Sequence, residues 1–369
     1  MTGWKPRSLA ITLAILGLVA AAIVVAYAPP GASAPARDGA PPATGRPAES
    51  VDATRPAGAG LLAQAVKPAG QPTTLRLTWN TSLDNHLGKG AQHFAKRVSE
   101  LTQGQVTVRL FPNAGLGSEQ QALEGMQAGT VDMGYITIYT NAVKLGVVLD
   151  LPFLFRDFNH WKKTVEGKPG QTIAEAALPT GVRILSWYIG GWRDVYGSKP
   201  LRSADDFKGL KIRTQQAVAL VEFFKAIGAI PTPVAWPETY LALQQRTVDA
   251  AETALWAMFD AKQYEVAKFA VETHHAQSNI PLMISEQRWK SLSAEVQKAL
   301  LTAANEAAEV QHKAYQDEAD GIVKRLKDKG VTFTNPDLSS FRDLAKRAVH
   351  QKLVTDPAQK AILEEIDKL

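Results

Sequence analysis

The chain of 369 residues contains no cysteine, which excludes disulfides, thiolate metal sites and a cysteine nucleophile together. It also excludes a lipidated N-terminal cysteine as a membrane anchor. Excess charge of one sign is nearly absent from the body. Residues 1–72 hold six basic groups against three acidic ones, which leaves 35 basic and 33 acidic groups for residues 73–369. Such a body has no electrostatic footprint for nucleic acid. Neither a phosphate-binding loop nor a Gly-x-Ser-x-Gly elbow occurs, so nucleotide chemistry and serine hydrolysis are not indicated. The seven histidines (86, 93, 160, 274, 275, 312 and 350) form no metal set by their spacing. No cofactor is expected, and without a catalytic constellation neither is an enzyme.

Long apolar runs are absent but for one. Ser8–Tyr27 is twenty residues without a charge, preceded by Lys5 and Arg7. About 20 apolar residues can span a bilayer, and the basic end stays inside, so residues 1–27 read as a signal peptide or signal anchor. Secretory apolar regions usually run ~7–15 residues. The small-residue sites Ala26-Tyr27-Ala28 and Ala32-Ser33-Ala34 are each followed by proline. Cleavage and retention both stay open, and either way the body is exported. Residues 28–72 contain 13 Ala, 9 Pro and 6 Gly. That composition cannot bury enough apolar surface to offset its ordering entropy, so a disordered linker is predicted. Its random-coil reach is roughly 35–40 Å.

After Pro72 the pattern changes. Thr74–Trp79 reads as a strand, and Leu87, Ala91, Phe94, Val98 and Leu101 recur at helical spacing. Val106–Phe111 is a second strand. Ser118-Glu119-Gln120-Gln121 has the form of a capping box opening a helix, and Val131–Ile136 is a third strand. Strand, helix, strand, helix, strand predicts a parallel α/β lobe. Gln127-Ala128-Gly129-Thr130-Val131-Asp132 is echoed by Gln244-Gln245-Arg246-Thr247-Val248-Asp249, which suggests a second lobe of related topology. Ser293–Lys329 has no proline and no strand pattern, and predicts one helix of ~50 Å at 1.5 Å per residue, kinked or straight.

The most informative stretch is Lys208-Gly209-Leu210-Lys211-Ile212-Arg213, with Pro231-Thr232-Pro233-Val234-Ala235-Trp236-Pro237-Glu238-Thr239-Tyr240 and Val248-Asp249-Ala250-Ala251-Glu252 after it. An arginine ending a short strand offers a planar fork of donors that matches a carboxylate bidentately. From about Thr74 to Leu369 the chain resembles the DctP-like substrate-binding proteins of tripartite ATP-independent periplasmic (TRAP) transporters. That resemblance implies a two-lobed α/β periplasmic-binding-protein fold (type II, Venus-flytrap) with a long helix bracing both lobes. Lobe I would be 73–190 with 279–318, and lobe II 191–278 with 319–369.

The resemblance further implies a monomer that captures a small organic carboxylate in the periplasm and delivers it to TRAP membrane subunits. A membrane-tethered sensor using the same fold is the alternative. Arg213 matches the arginine that pairs with the ligand carboxylate, and Arg193 the place of a second arginine. Trp236 aligns with an aromatic that stacks on the ligand, with Tyr240 one turn on. Asn80 aligns with a polar contact, and Thr137 and Tyr139 follow the third strand where the cleft opens. Glu252 is expected to orient an arginine or the hinge. Thr253 stands where sugar-acid-binding relatives have asparagine. With Trp236, Trp256 and Trp192 near it, that substitution predicts a less hydroxylated acid.

Overall fold

The structure, a computed structural model, describes residues 72–369. The apolar run Ser8–Tyr27 and nearly all of the Ala/Pro/Gly segment lie outside the described residues. Within them no helix is long and apolar enough to cross a membrane.

The strands are β1 (Thr73–Thr78), β2 (Val106–Phe111), β3 (Met133–Tyr135), β4 (Val182–Gly197), β5 (Lys211–Thr214), β6 (Ile230–Pro233), β7 (Ala250–Ala254), β8 (Phe269–Ser285) and β9 (Thr332–Thr334). One mixed sheet has the order β2-β1-β3-β8-β4-β7-β5-β6, with β9 pairing β8. β1 lies parallel to both β2 and β3. β5 likewise lies parallel to both β6 and β7. The two long strands β8 and β4 run antiparallel between these triplets. The two halves thus mirror each other's strand order, as the echoed hexapeptides suggest.

Helix α1 (His86–Leu101) is capped by Asn85, whose side chain accepts from Leu87 and Gly88 N–H. Helix α2 (Glu119–Gln127) opens on the capping box of Ser118 and Gln121. Further helices are α3 (Phe158–Glu166), α4 (Lys168–Ala177), α5 (Val218–Ala226), α6 (Thr239–Gln244), α7 (Leu255–Asp260), α8 (Glu286–Lys290) and α9 (Ala294–Ala319). The long helix stops short of its predicted end. α9 closes at Asp320, and Gly321, at φ +79°, turns the chain into a separate helix, Ile322–Asp328. Only a residue without Cβ takes that left-handed conformation without strain.

Alternation along β4 divides the core between the two faces of the sheet. Trp187, Ile189 and Val195 join a cluster with Trp161 of α3, Ile173 of α4 and Phe223 of α5. Leu185, Tyr188 and Tyr196 join another with Phe94 of α1, Met258 of α7 and Ala304 of α9. α9 packs across α1 and β4. The β4–β8 ladder is irregular between Ile189 and Gly191, opposite Asn279 and Ser278. There Gly191 has φ +91°, and a Cβ on Gly190 would lie 2.6 Å from the Ser278 side chain.

Candidate ligand-binding site

The C-terminal ends of the parallel strands of both triplets point into one cleft, the place where open α/β sheets bind ligands. After β1 and β3, and at the start of α2, come Trp79, Asn80, Thr137, Ser118 and Glu119. From the other half come Arg193, Arg213, Gln215, Gln216, Trp236, Thr253 and Trp256, with Ser278 and Ile280 of β8 between them.

Arg213 is the third residue of β5 and only 2% exposed. Its Nε donates to the Val234 carbonyl at 2.9 Å, and its guanidinium carbon stands 5.5 Å from the Trp236 ring centre. Among the described residues no carboxylate lies within ion-pair distance of it, and its terminal nitrogens make no hydrogen bond. Burial therefore pulls its pKa down, against the attraction of Glu252. A buried guanidinium with free donors facing a cavity is a receptor for an anion.

Arg193 also lines the cleft, but its charge is already matched. Nε donates to Glu252 Oε2 at 2.6 Å and Nη2 to Oε1 at 2.9 Å and to the Glu252 carbonyl. Nη1 donates to Ser278 Oγ at 3.2 Å. Four of its five N–H groups are thus engaged, so it is not a second free cation. Glu252 is fully buried and outside the cavity lining. It also accepts from Gln215 N–H at 3.1 Å and lies 3.5 Å from His275 Nε2. Burial would raise its pKa, but Arg193 and His275 overcome that and hold it down to about 2.

Asn80, Thr137, Trp236 and Thr253 all line the cavity. Tyr240 and Tyr139 do not. Tyr240, on α6, donates its hydroxyl to Glu265 at 2.9 Å in an exposed bond. Tyr139 is fully buried, with its hydroxyl on the Gly146 carbonyl and its ring against Trp187. The short 3₁₀ turn after β3 rotates it into the core. Trp192 likewise leaves the cleft and lies near His274, 6.1 Å between ring centres.

Sequence reasoning missed the acidic wall. Glu119 was legible only as a residue of the capping box, yet it is buried at the cleft. Its Oε2 accepts from Thr137 Oγ1 at 2.6 Å, Thr137 N–H at 2.9 Å and Ile138 N–H at 3.2 Å. Among the described residues Oε1 accepts nothing. Burial raises its pKa, opposed by the Thr137 bonds. The signal that could have found it is positional: the first helical residue after a strand and turn stands at the mouth of a parallel sheet. Trp256, whose Nε1 donates to the Gly190 carbonyl at 2.6 Å, fixes the floor beside the β4 irregularity.

Two α/β halves sharing a cleft, with an ion-pair-free arginine on one wall and hydrogen-bonding groups on the other, define a binding protein for small carboxylates. The chain belongs to the bacterial extracellular solute-binding protein family 7, which matches residues 79–355. It is 35% identical over 302 residues to the 2,3-diketo-L-gulonate-binding periplasmic protein YiaO of Escherichia coli K12, covering 80% of this chain and 92% of that one. Among solved structures it is similar to a TRAP periplasmic solute binding protein from Polaromonas sp. JS666 bound to D-erythronate. That likeness has 31% identity and TM-score 0.77, and covers 80% of this chain and 99% of that one. A TRAP periplasmic solute binding protein from Bradyrhizobium in complex with galacturonate is also similar, with 31% identity and TM-score 0.78. Coverage there is 80% of this chain and 100% of the other. The two-lobed fold, the carboxylate-binding role and the periplasmic setting expected from the sequence follow from this membership.

Proposed function

We propose that the protein captures a polyhydroxylated carboxylate, a sugar acid, and delivers it to TRAP membrane subunits. The observation that carries this is the set of polar groups converging on the cavity: Arg213 on one wall, free of any ion pair among the described residues, faces the Glu119 carboxylate on the other. Glu119 Oε1, Asn80, Ser118, Gln215 and Gln216 supply more hydrogen-bonding groups than a lone carboxylate needs. The less hydroxylated acid predicted from Thr253 is therefore set aside. A buried carboxylate acceptor favours a ligand that donates hydroxyls to it, and one threonine does not offset that. The ligands named for the three relatives described above point the same way. The sensor alternative gains no support from relatives named as solute-binding proteins.

Lobes of 73–190 with 279–318, and 191–278 with 319–369, meet at the irregularity of Gly190–Gly191 and Ser278–Asn279. We place the hinge there, because a bulge loosens the ladder at that point. Closure is favoured only by contacts a ligand makes better in the closed state: Arg213 and Trp236 hold one end, Asn80, Thr137 and Glu119 the other. The protein works as a monomer, and residues 8–27, where retained, tether it to the inner membrane.

The test is calorimetry of the full chain with D-erythronate and D-galacturonate against succinate and benzoate. A sugar acid is expected to bind at least tenfold more tightly. Glu119→Gln keeps the acceptor for Thr137 but removes the charge. It is expected to weaken the sugar acid by about 1–3 kcal/mol and to leave the simple acids unchanged. Preference for succinate or benzoate would overturn the ligand class while leaving the Arg213 clamp in place.

A further inference from the structure

Two helices remote from the cleft bring together a set of side chains that carboxylate capture does not use. Glu166 closes α3, and Glu309 and His312 stand one turn apart on α9. Their ligating atoms all lie within 4.8 Å of one another. His312 is only 4% exposed. Its Nε2 lies 3.1 Å from the Trp187 carbonyl of β4. A carbonyl only accepts, so Nε2 carries the hydrogen and Nδ1 presents a bare lone pair. That Nδ1 is buried with no hydrogen-bond partner among the described residues and points at the carboxylates, 4.0 Å from Glu309 Oε1. The Lys162 ammonium already sits between Glu166 and Glu309, bonded to both.

We infer that Glu166, Glu309 and His312 form a binding site for a zinc-class divalent cation, whose place the Lys162 ammonium holds when no metal is bound. Three arguments converge. An imidazole whose other nitrogen donates to a backbone carbonyl has the orientation that metal-bound histidines adopt. Two carboxylates and a neutral imidazole balance a divalent charge, and the mixed N/O set favours zinc over calcium or magnesium, which prefer oxygen alone. The distances are also within reach. Tetrahedral zinc with bonds of about 2.0–2.1 Å holds its ligand atoms roughly 3.3 Å apart, and both glutamates are exposed enough to close that gap by rotamer change. The Lys162 side chain, 27% exposed, has solvent to swing into. Bound metal would join α3 to α9 and, through the Trp187 carbonyl, to β4.

The test is a titration of the untagged full chain with zinc chloride, read by calorimetry and thermal unfolding, with magnesium chloride as control. One zinc ion is expected to bind and raise the unfolding temperature, with no response to magnesium. His312→Gln and Glu309→Gln should each weaken zinc binding at least tenfold, whereas Lys162→Met, which removes the competing ammonium, should strengthen it. Cobalt(II) should give visible absorption bands that His312→Gln abolishes. Glu309 is exposed, so its variant tests the site even where the His312 variant folds poorly. Absence of zinc binding, zinc binding that both ligand variants leave unchanged, or weaker binding by Lys162→Met would each overturn the assignment.

Discussion

Arg213 offers a test in which stability and binding should part company. Replacing it with methionine keeps the apolar stem of the side chain and removes the guanidinium with its charge. Among the described residues of the ligand-free protein the guanidinium is buried without a carboxylate partner and makes one hydrogen bond, to the Val234 carbonyl. Losing that bond costs about 0.5–1.5 kcal/mol net. Removing a desolvated, unpaired charge works in the opposite direction. The ligand-free Arg213→Met protein should therefore unfold within about 1 kcal/mol of the wild type. Binding is different, because the ligand carboxylate would enter a buried site with its counter-charge gone. Truncating one side of such a pair costs about 2–5 kcal/mol or more, a loss of roughly thirtyfold to several thousandfold in affinity. Urea unfolding without ligand and calorimetry with the tightest-binding sugar acid read the two quantities on one preparation. Arg213→Lys should bind at least tenfold more weakly than wild type, since an ammonium cannot reproduce the fork. Affinity within threefold of wild type in the methionine variant would refute the reasoning.

Two further outcomes follow from the other buried charges. Glu252→Gln leaves the Arg193 guanidinium buried without its counter-ion. It should cost about 3–5 kcal/mol in urea unfolding, and a loss under 1 kcal/mol would show that Arg193 finds another partner. Asp150 is buried beside Asn279 and Thr140, and burial raises its pKa from 3.8 to about 7. A carboxyl raised on folding contributes most below its unfolded value and loses that contribution as pH climbs through the folded one. The stability of Asp150→Asn relative to wild type should therefore grow by roughly 2–3 kcal/mol between pH 5 and 8. Parallel curves for the two proteins would contradict this.

What the sequence made legible was mostly local. β2 spans the predicted Val106–Phe111, and the capping box at Ser118 is present with both of its bonds. The echoed hexapeptides mark the same event twice, a helix leaving and a strand entering. Gly129 at φ +76° and Arg246 at φ +57° occupy matching positions. Arg213 was legible because a strand end fixes where a side chain emerges. Tyr139 sits on a short 3₁₀ turn, where one residue of rotation decides between cleft and core. Glu119 escaped notice because its role depends on which strand ends the sheet order brings beside it. Arg193 lines the cavity, but its pairing with Glu252 depends on the β4–β7 register, which spacing along the chain does not reveal. His312 shows the same limit. Its partner Glu166 comes from another helix, and no local pattern joins them.

The strand order also governs the time at which the chain can fold. β3 takes its second neighbour from β8, so the edge of the first triplet stays unpaired until residues 282–284 have emerged. β8 is in turn the partner of β4 along nearly its whole length. A chain crossing a membrane from its N-terminus would thus present more than two hundred residues before the strand that joins both halves arrives. Contacts so distant in sequence form slowly, which keeps the chain threadable while it is being translocated. The same delay leaves open strand edges exposed to other chains. Completion of the central sheet is therefore a late event in the folding of the chain, and β8 is the strand on which it waits.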